Sequence, residues 1–464
     1  MNLNLNDFKK IKNAKIVNEK YLKNNICNGV STDSRKVEDG NLFFALRGEK
    51  FDAHNFISEV IKNNVFACVV ENKWYSKNIK FCENSNSTFV VVKDSTKTLG
   101  ELAKIYREKF DIPIIAVAGS NGKTTTKEMI SDVLKSKYKV LATEGNLNNH
   151  IGLPQMIFKL KPEHEIAVLE IGTNHPGELK YLCNILKPTD SIITNIGREH
   201  LEFFKNLDGV LKEEGEAFRN ISNLGIKFVN GEDSKILKFS NNFENKIYFG
   251  KNKNFDFYFK NLKMNSTGTY SYKFVQSKNN KSVNINLKIS GLHNVSNSLA
   301  ALTIGKTFGI TMQKGAIAIN NFIAPSKRME VFSKNKIIII NDSYNANPDS
   351  MMAAIETLKN FKNGKRKIAI LGDMFELGEK SKTEHQNIGS FLNKTKIKYV
   401  FTLGELMKNC SKKLKSKNAM HFNSKAELNQ FLKSFVTEND VLLFKGSRGM
   451  KMEEIISELF QKGN

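Results

Sequence analysis

The chain has 464 residues, of which 40% are hydrophobic and 25% charged, and this is ordinary globular usage with length for roughly two to four domains. Its formal net charge of +24 is compatible with nucleic-acid binding, but the lysines are spread over the whole length without a basic block interleaved with aromatics. A solvated, lysine-rich surface is therefore favoured, and such a surface also suits a multiply anionic small substrate.

The five cysteines are widely spaced and contain no C-x-x-C pair. This pattern indicates reduced thiols rather than a disulfide framework or a zinc site. The first residues contain no apolar targeting segment, and the most hydrophobic run, 337–340, is too short to cross a bilayer. We therefore expect a cytoplasmic protein that is not exported and has no stable membrane insertion.

The first predicted domain is a small mixed region over residues 1–85. An Asp39-Gly40 turn precedes the apolar run 42–46, which is typical of a strand that leads into a second turn at Gly48.

The second predicted domain covers residues 86–324. Strand-like runs alternate with helix-period segments, and these runs lie at 114–120, 139–143, 166–172 and 191–197. This alternation predicts a parallel sheet with helices on both faces. The segments YFG, FDFYFK, TYSYKF and VNINLKI between residues 246 and 290 predict an antiparallel flap on the same domain.

The third predicted domain covers residues 325–464, where the strand and helix alternation restarts. Its strand-like runs begin at residues 337, 367, 399 and 441. Ligands of such a doubly wound sheet bind beyond the carboxyl ends of the strands. Because no G-x-G-x-x-G follows the first of these strands, a dinucleotide site is not expected.

A phosphate-binding loop is predicted at residues 116–129, AVAGSNGKTTTKEM. An apolar strand runs into a glycine turn and then into a helix, which is the arrangement that wraps backbone N–H groups around phosphate. Val117 stands where the usual G-x-x-x-x-G-K-S/T has its first glycine, and an ordinary helix-capping turn is the alternative. In the nucleotide interpretation Lys123 reaches the β- and γ-phosphates and the Thr124 hydroxyl binds Mg²⁺. The nucleotide-contacting residues would be Gly119, Ser120, Asn121, Gly122, Lys123, Thr124 and Thr125.

Two further strands of the central domain end at candidate metal ligands, Glu170 in VLEIGTNH and His200 in TNIGREH. Each also fits a structural role, as a helix-capping carboxylate or a structural histidine. Their shared position beside the predicted loop favours Mg²⁺, although a histidine ligand is unusual for this hard cation.

Several other segments carry polar residues with two interpretations each. Asn148 and Asn149 in GNLNNHIGLP either cap the next helix or bind a polar substrate. The acidic stretch 207–218, LDGVLKEEGEAF, is typical of a solvated helix face. An aspartate past a strand can accept ribose hydroxyls and an arginine can hold a γ-phosphate, but caps or surface roles fit equally well. The residues concerned are Asn297, Arg328, Asp342, Tyr344 and Asn345.

Taken together, seven segments resemble the Mur ligase family over nearly the whole chain and in order. They are AGSNGKTTTKEM, GNLNNHIGLP, LEIGTNHPGEL, GLHNVSNSLAAL, SKRMEV, NDSYNANPDSM and LGDMFELGE. The family's short loop, G-x-x-GKT, accounts for the missing first glycine. The GNLNN, SYNANP and GDM-x-ELGE segments favour the member that adds the last two residues of the precursor peptide.

The resemblance implies an α/β protein of three domains: a mixed N-terminal domain that binds the UDP end of the substrate, a central P-loop ATPase-like sheet with its flap, and a C-terminal Rossmann-like domain that closes over ATP. It implies that ATP phosphorylates the terminal carboxylate of UDP-N-acetylmuramoyl-tripeptide and that D-Ala-D-Ala attacks the acyl phosphate. This is the last cytoplasmic step of peptidoglycan precursor synthesis.

The resemblance also assigns roles to matched positions. Glu170 and His200 match metal positions; Asn297, Arg328 and Asp342 match ATP contacts. By the same resemblance, the substrate contacts would be Ser34 and Arg35 at the uridine end, Asn148, Asn149, Tyr344 and Asn345, with Arg448 on a substrate carboxylate.

The chain departs from the family at residue 214. The family has a lysine fourteen residues after the metal-binding histidine, carbamylated by CO₂ to become an anion that faces a second Mg²⁺, whereas this chain has Glu214 there. Lys212 is two residues away, which turns it roughly 200° around a helix. We hypothesise that Glu214 supplies the negative charge without CO₂, directly at the metal or through water. Two alternative functions stay open: a Mur-type ligase that adds a different amino acid, such as the third residue, and a basic P-loop ATPase that binds nucleic acid. We expect a monomer that binds no nucleic acid.

Overall fold

The structure, a computed structural model, describes residues 1, 3–22 and 27–461. The described residues of the N-terminal part form a five-stranded sheet in the order β1-β5-β4-β3-β2, in which β1 pairs antiparallel with β5 and the other pairs are parallel. Its strands are β1 (Lys15–Val17), β2 (Gly29–Ser31), β3 (Asn41–Phe44), β4 (Ala67–Glu71) and β5 (Phe89–Val92), with helices α1 (Leu5–Lys9), α2 (Ile57–Val60), α3 (Asn72–Tyr75) and α4 (Ile79–Asn84).

The predicted boundary after residue 85 falls too early, because β5 lies beyond it and pairs with both β1 and β4. The strand is a fully buried run of β-branched and aromatic residues, so its partner sheet could not be read from its own sequence. Helix α5 (Ser95–Arg107) follows and packs between this domain and the next.

The central domain contains a nine-stranded sheet in the order β14-β13-β12-β11-β10-β9-β6-β8-β7. Its strands are β6 (Ile114–Ala118), β7 (Val140–Ala142), β8 (Ile166–Glu170), β9 (Asp190–Ile193), β10 (Lys227–Asn230), β11 (Lys246–Gly250), β12 (Phe257–Met264), β13 (Thr269–Gln276) and β14 (Lys281–Ser290). Its helices are α6 (Lys123–Leu134), α7 (Gly152–Ile157), α8 (Glu178–Leu186), α9 (Leu201–Phe204), α10 (Leu207–Glu214), α11 (Glu216–Arg219), α12 (Ser234–Ser240), α13 (His293–Thr307) and α14 (Met312–Asn321).

Strand β6 lies in the middle of this sheet and is buried on both faces. Ile114, Ala116 and Ala118 pack into one hydrophobic core, and Ile115 and Val117 pack into the core on the opposite face. Because β6 is parallel to both neighbours, β8 and β9, the carboxyl ends of all three strands meet at one edge.

The predicted antiparallel flap is present in β12, β13 and β14, but it continues the main sheet. The segment YFG was wrongly assigned to the flap, because it forms β11, which is parallel to β10. Hydrogen bonding to a distant strand sets this direction, and alternation within three residues does not encode it.

The C-terminal domain has a six-stranded sheet in the order β15-β16-β20-β17-β18-β19, parallel except for the edge strand β15. Its strands are β15 (Glu330–Lys334), β16 (Ile337–Asp342), β17 (Lys367–Gly372), β18 (Tyr399–Leu403), β19 (Ala419–Phe422) and β20 (Val441–Lys445); its helices are α15 (Pro348–Asn360), α16 (Ser381–Leu392), α17 (Lys408–Ser411), α18 (Lys425–Phe435) and α19 (Met452–Leu459). The predicted doubly wound α/β class is confirmed, and its four predicted strands are β16, β17, β18 and β20.

No helix in the described part of the chain combines the length and the apolar character needed to span a membrane. All five cysteines are buried and free.

Candidate active site

A cavity of about 880 Å³ lies where the carboxyl ends of β6, β8 and β9 face the C-terminal domain. Its wall includes every predicted site residue except four, which are Gly119, Glu214, Ser34 and Arg35. Residues separated by more than 300 positions in sequence, such as Ser120 and Arg448, therefore share one cavity wall.

The loop before α6 has the backbone of a phosphate cradle. Gly119 has φ +112° and Gly122 has φ +79°, conformations that L side chains rarely adopt. A Cβ on Gly119 would lie 2.3 Å from Oγ1 of Thr194, so the neighbouring strand end also excludes a side chain. Helix α6 begins at Lys123 and directs its free N–H groups and positive dipole end toward the cavity.

The loop lysine is held by the loop and by nearby carboxylates. Nζ of Lys123 donates to the Gly119 carbonyl at 2.5 Å and lies 3.6 Å from Oε2 of Glu199. Burial opposes its charge, but Glu199, Glu214 and Glu170 outweigh burial and raise the pKa of Lys123. The ammonium is therefore charged and available for an anionic phosphate.

Glu170 is fixed by two side chains that donate to it. The Thr124 hydroxyl donates to Oε2 at 2.8 Å, and Nδ2 of Asn148 donates to Oε1 at 2.7 Å. Since the hydroxyl proton points at Glu170, the lone pairs of Thr124 Oγ1 remain free to coordinate a cation. Asn148 holds this carboxylate, and a substrate-binding role for its amide stays a prediction.

The neighbouring asparagine caps the turn that leads into α7. Oδ1 of Asn149 accepts hydrogen bonds from the N–H groups of Ile151 at 3.1 Å and Gly152 at 2.8 Å, where α7 begins. Asn149 also lines the cavity, so the two interpretations of this residue are compatible.

The donor set fits a hydrated Mg²⁺ that is shared with a nucleotide. In the described residues no three or more His, Cys, Asp or Glu side chains form a group able to enclose a metal. Mg²⁺ seldom needs such a group, because it keeps several waters and binds one or two carboxylates together with substrate phosphates. Thr124 and Glu170 supply hard oxygen donors beside the loop, and His200 lines the same cavity.

His200 bridges the two domains. It has φ +45°, and its Nδ1 lies 2.7 Å from Oε2 of Glu376 on the loop after β17. The contact is an ion-pair distance without an aligned hydrogen bond, since Nδ1 has no hydrogen-bond partner among the described residues. The neighbouring His200 lowers the pKa of Glu376.

Glu214 is fully buried at the end of α10 and lies beneath the loop, outside the cavity wall. Its Oε2 accepts a hydrogen bond from the Gly119 N–H at 2.6 Å. Burial first, and then the charge of Glu199, raise the pKa of Glu214 to about 8 against the lowering effects of Lys123 and the Gly119 N–H. Whether Glu214 faces a metal stays a prediction.

The expectation that residues 207–218 form a solvated helix face is wrong for two of its glutamates. Glu213 is also buried, and its two oxygens accept the N–H groups of Gly177 and Leu179 at 2.8 Å, where α8 begins. Neutralising the N-terminus of a neighbouring helix offsets the cost of burying this charge. Lys212, by contrast, is exposed, as the helical turn predicts.

The C-terminal wall of the cavity is a network of paired charges. Oδ2 of Asp342 accepts from Nζ of Lys445 at 2.5 Å, and Oδ1 accepts from the Met329 N–H at 3.1 Å. The Arg328 guanidinium stacks 3.8 Å from the centre of the Tyr344 ring.

Three more predicted contacts lie on this wall and at the loop. Arg448 pairs with Glu453 at 2.6 Å, and its N–H donates to Oδ1 of Asn345 at 3.3 Å. On the loop side, Nδ2 of Asn297 donates to Oδ1 of Asn294 at 2.9 Å. A Cβ on Gly122 would lie 2.8 Å from Oδ1 of Asn297. Asn297 thus packs against the phosphate loop.

Arg198 connects the domains and was not singled out by sequence. Its Nε donates to Oδ1 of Asp349 at 3.0 Å, its Nη1 donates to Oε2 of Glu384 at 2.8 Å, and its N–H donates to Oδ2 of Asp349 at 2.6 Å. A second link joins the loop itself, where Nδ2 of Asn347 donates to Oδ1 of Asn121 at 2.9 Å. These contacts hold the C-terminal domain over the loop.

Ser34 and Arg35 are not brought to the cavity. They lie in a short 3₁₀ helix of the N-terminal domain, where the largely exposed Arg35 pairs with Asp33 at 2.8 Å. Their uridine-end role stays a prediction.

The loop, the polar strand ends beside it and the cavity closed by a second α/β domain define a nucleotide-dependent enzyme of the P-loop class. Three family models match in chain order: the Mur ligase family catalytic domain at residues 27–107, the Mur ligase middle domain at 117–305 and the Mur ligase glutamate ligase domain at 327–448.

Relatives agree with these models. The chain is 33% identical to the UDP-N-acetylmuramoyl-tripeptide–D-alanyl-D-alanine ligase of Bacillus subtilis (strain 168) over 442 residues, 94% of each chain. It is 33% identical over 440 residues to the ligase of the same name from Escherichia coli, again 94% of each chain. A crystal structure of MurF from Acinetobacter baumannii superposes with a TM-score of 0.89 at 28% identity over 99% of each chain. MurF ligase from Thermotoga maritima in complex with ADP gives 0.82 at 28% identity over 93% of this chain and 97% of that one. The chain belongs to the Mur ligase family, whose members are ATP-dependent ligases.

Proposed function

We propose that this enzyme joins D-Ala-D-Ala to the terminal carboxylate of UDP-N-acetylmuramoyl-tripeptide, with ATP cleaved to ADP and phosphate. The observation that carries the proposal is the single cavity in which the phosphate loop faces the polar residues of the C-terminal domain. The names of the full-length relatives in Bacillus subtilis and Escherichia coli give the substrates. We further propose a cytoplasmic monomer that does not use nucleic acid.

In the first step the peptide carboxylate attacks the γ-phosphorus of ATP, and the bond to the leaving ADP breaks. A carboxylate is a poor electrophile, and this transfer gives it a leaving group. In the free enzyme Nζ of Lys123 lies 3.6 Å from Oε2 of Glu199. With ATP bound, the Lys123 ammonium contacts the phosphate oxygens and stabilises the negative charge that develops on them. The N–H groups at the start of α6 orient the same phosphates.

In the second step the amino group of D-Ala-D-Ala attacks the acyl carbon. The tetrahedral intermediate loses a proton and expels phosphate, which leaves the new amide. The cavity between the domains holds the acyl phosphate and the amine next to each other, which favours aminolysis over hydrolysis. Arg328, Tyr344, Asn345 and Arg448 are proposed as nucleotide or substrate contacts on the C-terminal wall, with Asp342 for ribose and Asn148 and Asn149 for the peptide.

Thr124, Glu170 and His200 are the residues proposed to hold Mg²⁺ with the nucleotide. The cation would neutralise phosphate charge and polarise the phosphoryl group. Asn148 keeps the Glu170 carboxylate in place for this purpose.

We also propose that Glu214 takes the place of the carbamylated lysine of the family and removes the need for CO₂. Its full burial next to Lys123 and the exposure of Lys212 support this. Since its Oε2 is bound to the Gly119 N–H, Glu214 acts through the loop and its neighbours. Glu214→Gln should cut turnover severely. Full turnover in that variant, together with loss in Lys212→Ala and recovery with a small added carboxylate, would refute the idea.

The function is tested by phosphate release with each substrate omitted in turn. Release should require both UDP-N-acetylmuramoyl-tripeptide and D-Ala-D-Ala. Release with UDP-N-acetylmuramoyl-dipeptide and a single amino acid would favour a ligase that adds the third residue, and stimulation by polynucleotide would favour a nucleic-acid-dependent ATPase. The same assay, run with the lysine-containing and with the diaminopimelate-containing tripeptide, identifies which third residue the enzyme accepts.

A further inference from the structure

Glu199 is a buried carboxylate on the cavity wall that neither the sequence motifs nor the proposed mechanism assigns to a ligand. It precedes His200 directly and lines the cavity together with Lys123, Thr124 and Glu170. Its side chain is 6% exposed, with Oε2 3.6 Å from Nζ of Lys123 and 3.9 Å from Nε2 of His200. Its Oε1 is buried and, like Oε1 of the neighbouring Glu214, meets no hydrogen-bond donor in the part of the chain that the structure describes.

An orphaned carboxylate oxygen of this kind is costly. Burying a charged oxygen without a donor or cation forfeits its hydration, and proteins rarely tolerate this outside functional sites. Lys123 is also needed elsewhere, since the phosphates of a nucleotide draw its ammonium away from Glu199. The carboxylate therefore needs another cation when the nucleotide is bound.

Glu214 is less suited to meet a cation in the cavity. Its side chain rises from α10 beneath the loop, where Oε2 is already occupied by the Gly119 N–H at 2.6 Å. Its Oε1 is unpartnered among the described residues, like that of Glu199, so the two carboxylates differ in their position relative to the cavity. The residue is absent from the cavity wall, whereas Glu199 forms part of it.

We propose that Glu199 is the carboxylate that faces the divalent cation bound with the nucleotide, and that Glu214 is a positioning residue that supports the loop from below. The inference rests on the proposed function only in requiring a metal–nucleotide complex in this cavity. A carboxylate oxygen beside phosphate is the ligand type that Mg²⁺ selects. Glu199 thus supplies a carboxylate at the cavity, while Glu214 keeps its proposed place beneath the loop.

The competing explanation is that Glu199 serves only as a counterion for Lys123. The two roles differ in their dependence on metal. A carboxylate that is only a counterion weakens the binding of nucleotide phosphates equally with and without Mg²⁺. A carboxylate that faces the cation weakens phosphate binding without metal and strengthens the binding of the metal–nucleotide complex.

The test is calorimetric titration of the full chain with ADP, once with a chelator and once with saturating Mg²⁺. The quantity compared is the factor by which Mg²⁺ tightens ADP binding. Glu199→Gln keeps the shape and removes the charge, and we expect it to tighten ADP binding without metal and to reduce the Mg²⁺ factor about tenfold or more, as one charge at contact distance does. Glu202→Gln, an exposed glutamate of the same segment outside the cavity wall, is the matched control and should leave the factor unchanged.

Glu214→Gln should change the Mg²⁺ factor less than Glu199→Gln does. The proposal is overturned if Glu199→Gln shifts ADP affinity equally with and without Mg²⁺, if it shifts neither, or if Glu214→Gln alone removes the factor. Should Glu199→Gln not fold, Glu199→Asp tests the same point, because its shorter carboxylate draws back and the factor should fall; an unchanged factor contradicts the proposal. This experiment measures nucleotide binding, so it would give the same result for a ligase that adds another amino acid. Failure of the proposed function is recognised separately, by the phosphate-release assay.

Discussion

Arg198→Ala should release the C-terminal domain from the phosphate loop. The Arg198 side chain is 24% exposed, while its partners Asp349 and Glu384 are 38% and 10% exposed. The pair with Asp349 is screened by solvent and contributes at most about 1 kcal/mol. The more buried charged hydrogen bond to Glu384 contributes about 1.5–3 kcal/mol. A total of about 1.5–4 kcal/mol corresponds to an about 10- to 700-fold shift of the closed–open equilibrium toward the open form.

Small-angle X-ray scattering with and without ADP measures this shift as an increase in the radius of gyration, and the KM for ATP should rise in parallel. Arg219→Ala is the matched control, because Arg219 pairs with Glu216 on α11 of the same domain. Arg198→Lys should not restore closure, since lysine cannot reproduce the forked contacts to two carboxylates. An Arg198→Ala variant with the scattering curve and KM of the unmodified enzyme would refute the reasoning.

Three further predictions concern the core and the loop. Burial raises the pKa of the thiols, to about 11 for Cys27 and to about 12 for Cys183. Iodoacetamide at neutral pH should therefore label no cysteine of the folded protein and all five after unfolding. Rapid labelling of the native enzyme, measured by mass spectrometry, would contradict the buried positions of the cysteines. Gly119→Ala should destabilise the protein by about 1–3 kcal/mol in thermal unfolding and abolish nucleotide binding. The reason is that Gly119 has φ +112° and that a Cβ there would overlap Thr194. A normal ADP affinity in this variant would contradict the proposed geometry of the phosphate loop. Asn149→Ala should cost about 1 kcal/mol of stability, because Oδ1 of Asn149 caps the turn that leads into α7, whereas Asn149→Asp should retain that stability. Equal losses of stability in the two variants would rule out capping by Asn149.

The phosphate loop could be predicted from sequence because its determinants are local. Glycines with positive φ, a buried strand and a helix that begins at Lys123 all lie within a dozen residues. Glu170 could be placed beside the loop for a related reason, since β8 and β6 are parallel neighbours and their carboxyl ends coincide. The doubly wound C-terminal sheet followed from the same alternation of strands and helices.

The parts that sequence did not predict depend on contacts between distant segments. Glu213 and Glu214 have the composition of a solvated helix face, and only packing against α8 and the loop buries them. The functional interest of Glu199 could have been suspected from the carboxylate in GREH beside the candidate metal ligand His200, but its orphaned oxygen is visible only in three dimensions. Likewise, Arg198 finds partners 151 and 186 residues away, a separation at which no local pattern operates.

The most direct test of the proposed reaction is mass spectrometry of the product formed from ATP, UDP-N-acetylmuramoyl-tripeptide and D-Ala-D-Ala. The proposed function predicts one amide-linked product that carries both alanines for each ADP released, and no product when Lys123 is replaced by methionine. ADP formation without that product, or a product that carries a different amino acid, would contradict it.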